Sequence, residues 1–129
     1  MRDYQPHKNN PYWLEPTVYR RALAVVRDYD RMVRDYREGF LETSRPDGQP
    51  GSNLPGDPVE RRVERLDRLY QDIRVVERAL TQLPREYRGG VLRNIQQGGW
   101  PVDVPAHPNT WSKWRGRFLF FVAQGMGLA

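Results

Sequence analysis

A chain of 129 residues without a cysteine cannot form disulfides, zinc-thiolate centres or a thiol nucleophile. At this length one domain buries roughly 65–70% of its unfolded surface, enough for a modest core without staples. The net charge is +5, carried almost wholly by arginine, which forks well onto phosphates and carboxylates and so favours an acidic partner.

That excess has a location. Residues 1–56 hold nine Arg/Lys against eight Asp/Glu, and residues 57–97 hold nine against seven. From Thr110 onward Lys113, Arg115 and Arg117 stand with no acid at all, which makes the C-terminal segment the electropositive end.

Residues 1–15 are polar, proline-bearing and aperiodic. They read as an arm that docks through Tyr12, Trp13 and Leu14. The arm has no apolar leader core, and no apolar run approaches the roughly 20 residues that span a bilayer, so the expectation is a soluble cytoplasmic protein with no membrane partner. Pro16 suits a helix start, and Tyr19, Leu23, Val26, Tyr29 or Asp30, Val33, Tyr36 and Phe40 recur at three-to-four spacing, which predicts one helix over 16–41. Arg-Asp-Tyr occurs at 27–29 and again a heptad later at 34–36, placing Tyr29 and Tyr36 on one packing seam.

A flexible loop is expected over 42–57, where TSRPDGQPGSNLPGD carries too little apolar surface to order itself. Asp57-Pro58-Val59-Glu60 restarts helix, with Asp57 as cap, Pro58 in the first position and Glu60 as a capping-box acid. A seam of Val59, Val63, Leu66, Leu69 or Tyr70, Ile73, Val76 and Leu80 runs to about Gln82, about 38 Å at 1.5 Å per residue. It should pack antiparallel to the first helix. Glu60, Glu64, Arg61, Arg65, Arg68, Arg74 and Arg78 form its solvated face.

Leu83-Pro84 breaks that helix, and another runs through Tyr87, Val91, Leu92 and Ile95 to Gly98-Gly99, weakened midway by Gly89-Gly90. Pro101, Pro105 and Pro108 then impose an extended connection held by Trp100, Val102 and Val104. Asn109 or Thr110 caps a last helix with Trp111, Trp114, Phe118, Phe121 or Val122 and Met126 on one face. The whole reads as a single all-α domain over 1–129: a small helical bundle of about four helices, with an N-terminal arm and a Pro-rich loop before the last helix.

No catalytic constellation emerges, and the expectation is a non-enzyme with no cofactor, metal or small-molecule substrate. His7 and His107 lack helical partners of metal-binding spacing. Asp28, Asp30 and Asp35 diverge around the helix axis, and the glycine pairs lack the strand and lysine of a phosphate loop. Burying the aromatic stripe of the last helix inward would turn Ser112, Lys113, Arg115, Gly116 and Arg117 to flanking and outward positions as a cationic ridge. Leu119 and Phe120 lie off that stripe, where they either widen the buried face or cover a partner subunit.

From Val76 onward, VERALTQLPREYRGGVLRNIQQGG resembles the opening of sigma-factor region 4 and of phage late-transcription regulators that share its helix-turn-helix. The matching residues are Leu83-Pro84, Tyr87-Arg88, Val91-Leu92 and Gly98. A second likeness, to small phage and prophage proteins, rests on Asn10-Pro11-Tyr12-Trp13, on Tyr19 through Tyr36, and on Asp103-Val104-Pro105 followed by WSKWRGRF. Where that family has a short supporting helix after Gly98, this chain has three prolines and about three residues fewer, so the motif is degenerate.

The resemblance implies a phage-type transcription regulator that places its last helix in the major groove of double-stranded DNA. Asn109, Thr110, Ser112 and Lys113 would lie nearest base edges or phosphates, and Arg115, Arg117, Arg88 and Arg93 would contact phosphates. The alternative is a non-enzymatic phage structural or protein-interaction module that keeps the helical shape and self-associates through aromatic surface such as Phe120 and Phe121.

Overall fold

The structure, a computed structural model, describes residues 7–43 and 59–129. The first six residues of the arm, residues 44–57 of the expected loop and the Asp57-Pro58 start signal lie outside the described residues. Among the described residues the chain is an all-α bundle of five helices with no strand: α1 (Pro16–Arg27), α2 (Tyr29–Thr43), α3 (Val59–Thr81), α4 (Arg85–Gln97) and α5 (Pro108–Gly125).

The extra helix arises because the segment expected as one helix breaks at Asp28. That residue has φ −89° and ψ −2°, and its N–H is shared between the carbonyls of Ala24 and Val25, the local tightening that turns an axis without a proline. Its carboxylate receives the Arg31 guanidinium, with Arg31 Nε 2.6 Å from Asp28 Oδ1, and the same guanidinium reaches Asp35 at 2.7 Å. The break lets one amphipathic pattern serve two partners. Tyr19, Ala22, Leu23 and Val26 of α1 face the main core, while α2 packs chiefly along α3.

The main core is built around α5, which contacts α1, α3 and α4. Trp111, Phe118, Leu119, Val122 and Ala123 of α5 meet Leu23 and Val26 of α1, Val76 and Ala79 of α3, Leu83, and Val91 and Ile95 of α4. Complete burial of side chains of this size contributes about 1.5–3 kcal/mol each, so most of the fold's stability resides here. The arm joins it through buried Leu14 and through Tyr12, whose ring meets Phe120 edge-on at 5.4 Å.

The α4–α5 junction explains two sequence features. Gly90 lies under the Trp111 ring, where an added Cβ would sit 2.6 Å from that ring and 2.8 Å from Pro101, so the glycine permits close packing in a continuous helix. Gly98 (φ 83°) and Gly99 (φ 75°) take left-handed conformations that end α4, and Asn94 Nδ2 donates to the Gly99 carbonyl at 2.7 Å. The cap of α5 is neither Asn109 nor Thr110: His107 holds that position, its Nδ1 accepting the Asn109 N–H at 3.0 Å, with Pro108 in the first turn. Pro108 starts the helix two or three residues earlier than the amide or hydroxyl side chain suggests.

Candidate nucleic-acid interface

The last helix is the central strut of the bundle, and this decides which of its polar residues face solvent. Beyond its second turn α5 is covered on three sides. Its exposed polar residues other than Gln124 gather at the N-terminal end, where Asn109, Ser112 and Lys113 are exposed and Thr110 is half-buried. No Asp or Glu follows Asp103, so no carboxylate of this helix opposes an anion there.

The three cations of the segment do not form one ridge. Arg115 is 8% exposed, its Nε donating to Asn94 Oδ1 at 3.1 Å and its Nη1 to the Tyr19 hydroxyl at 2.6 Å. The expectation that it contacts phosphate is corrected, because it reaches into the interface of α1, α4 and α5 and could turn outward only by unpacking them. Gly116 is buried too. The reason is spacing: Arg115 follows Trp111 by four residues and precedes Phe118 by three, which places it within the inward stripe.

Lys113 and Arg117 do stand together. Lys113 Nζ lies 4.7 Å from the centre of the Trp114 ring and the Arg117 guanidinium 5.1 Å from it, and the same guanidinium lies 4.8 Å from the centre of the Tyr12 ring. Tyr87 stacks against Trp114 at 6.0 Å. The rings fix both long side chains by cation–π contact without neutralising them, so the charge is held in place beside the free turn.

Arg88 and Arg93 lie elsewhere. Arg88 closes the end of α3, donating from Nε to the Leu83 carbonyl at 2.9 Å and from Nη2 to that of Thr81 at 3.1 Å, as a basic side chain at a helix C-terminus should. Arg93 is exposed on α4 and lines a cavity of about 290 Å³ with Trp100, Pro101 and Asp103 of the connection. Of the eight candidate residues, the structure therefore brings together Asn109, Thr110, Ser112, Lys113 and Arg117.

Residues 98–107 contain no helix, so the supporting helix of a helix-turn-helix has no counterpart; α4 itself packs on α5 through Tyr87 and Asn94. Sequence reasoning missed Tyr12 and Trp114 as the rings that hold the cations, although an aromatic three residues before Arg117 was a usable signal. Among the described residues no group of three or more His, Asp or Glu side chains could hold a metal, and no helix is long and apolar enough to cross a membrane. No family model, curated protein or solved structure matches the chain.

Proposed function

We propose that the chain is a non-enzymatic, DNA-binding regulator that presents the first two turns of α5 to the duplex. The observation that carries this reading is the joint exposure of Asn109, Ser112 and Lys113 at the start of a helix whose middle is packed into the core, with Arg117 held alongside. Helix N-terminal residues are those that reach base edges when a recognition helix enters a major groove, and a helix N-terminus with nearby cations also favours phosphate. Asn109 and Ser112 supply short hydrogen-bonding groups, Lys113 and Arg117 supply phosphate contacts, and Arg115 holds the helix in place. Such a protein works in the cytoplasm, with which a cysteine-free chain is compatible.

Binding to duplex DNA should weaken steeply as salt rises, and Lys113→Ala or Arg117→Ala should lower the slope of log K against log salt by about 1 each. Binding that is absent, or indifferent to salt, contradicts the proposal.

The second reading, a protein-interaction module, is favoured by a separate observation. Phe40, Leu41, Val59, Val63 and Tyr70, five of the six exposed large hydrophobics among the described residues, all belong to α2 and α3.

A further inference from the structure

The hairpin of α2 and α3 extends beyond the core that α5 organises, and the N-terminal half of α3 has α2 as its packing partner. On this hairpin Tyr36 stacks with Phe40 at 6.3 Å and meets Tyr70 at 5.8 Å, continuing the line of Val59 and Val63. Val59 is 58% exposed, Val63 46% and Tyr70 44%, an apolar strip that water covers at a cost.

The charges beside the strip say what covers it. Positions 59, 63, 66, 70 and 73 form one row along α3 at alternating four- and three-residue steps, and the neighbouring row is Glu60, Glu64, Asp67, Gln71, Arg74 and Arg78. That second row is acidic in its first half and basic in its second. Turned end for end, it matches itself: with a two-fold axis beside residue 69, Glu60 faces Arg78, Glu64 faces Arg74 and Asp67 faces Gln71 of the other copy. Of these side chains all but the half-buried Arg74 are exposed, and Arg74 Nη1 lies 3.9 Å from Glu77 Oε1 of its own chain, with a second nitrogen left to face the other copy.

From this arrangement we infer that a second copy of this chain docks on the hairpin, the two α3 helices lying antiparallel and the two hairpins closing a four-helix bundle. A two-fold contact of this kind is self-complementary by construction, as homodimer interfaces are. Val59, Val63, Tyr36, Phe40 and Tyr70 form its apolar centre, and the Glu60 to Arg78 row seals one edge and sets the orientation. The dimer does not depend on DNA binding and fails or stands separately from it.

The test uses the full chain in sedimentation velocity across a concentration series. The expected result is a concentration-dependent dimer that Glu64→Arg or Arg74→Glu weakens about tenfold or more, since each reversal creates two repelling pairs. The double variant Glu64→Arg/Arg74→Glu should restore dimerisation. Residues 64 and 74 are about 15 Å apart along one helix and cannot touch within a copy, so rescue reports a contact between copies. Far-ultraviolet circular dichroism checks that each variant keeps its helices, and Tyr70→Ser, which leaves the charges intact, supplies a second route to a monomer. A chain that stays monomeric throughout the series, or a double variant that dimerises no better than the single ones, overturns the inference.

Discussion

Arg115 is tied into the helix packing, whereas Lys113 and Arg117 of the same helix rest on surface rings. A guanidinium at 8% exposure must be satisfied where it lies, and Asn94 and Tyr19 do so across three helices. Truncating it leaves the buried hydroxyl and amide without their donor and opens a void. Arg115→Ala should therefore cost about 2–4 kcal/mol in urea unfolding, whereas Arg117→Ala should cost under about 1 kcal/mol because its ring contacts lie at the surface. Gly90 is the backbone counterpart. Gly90→Ala gains helix propensity but drives a methyl into the Trp111 ring and Pro101, so a net loss of about 1–3 kcal/mol is expected, read as a lowered urea midpoint. The inward place of Arg115 was latent in its spacing from Trp111 and Phe118. Only its partners, Asn94 beside Ile95 on the buried face of α4 and Tyr19 at the start of another stripe, could have revealed it, and no single-helix pattern joins them.

Among the elements, the break at Asp28 matters most, because it separates the α5-centred core from the α2–α3 hairpin. Its charge pair with Arg31 holds the Asp28 carboxyl below its usual range, and Tyr29 anchors the same corner by donating to Glu77 Oε2 at 2.9 Å. Burial, followed by that hydrogen bond and the nearby carboxylates of Glu77 and Asp30, pushes the Tyr29 hydroxyl up from 10.0 to about 12. The folded state thus holds this proton more tightly than the unfolded one. The resulting stabilisation is complete below about pH 10 and is lost as pH rises towards about 12. Thermal unfolding of Tyr29→Phe should lack that alkaline decline, at a cost of about 1 kcal/mol near neutrality for the lost hydrogen bond. Helix positions were legible wherever period and punctuation agreed: α3, α4 and α5 begin and end within a few residues of the expected places. The break was not, since the three-to-four spacing of Leu23, Val26, Tyr29 and Val33 runs straight through it and no glycine or proline marks it. What moves the axis is a change of tertiary partner, which local sequence does not encode.

At the scale of the molecule, the described residues offer two different surfaces at separate places. One is the polar, cation-flanked start of α5, and the other is the apolar hairpin with its self-matching row of charge. The basic character of the C-terminal segment was legible from composition, but its distribution depended on α5 becoming the central strut, which followed only from assembling all five helices. A dimer joined through the hairpin would carry two copies of the α5 turn, so DNA affinity should respond to dimer-breaking substitutions through the loss of two-site binding.

The division of labour between Arg115 and its neighbours is tested most directly by measuring duplex-DNA affinity and unfolding free energy on the same preparations of Lys113→Ala, Arg115→Ala and Arg117→Ala. Lys113→Ala and Arg117→Ala should bind at least several-fold more weakly at low salt with stability nearly unchanged, while Arg115→Ala loses stability first. Undiminished affinity in both Lys113→Ala and Arg117→Ala would contradict the account.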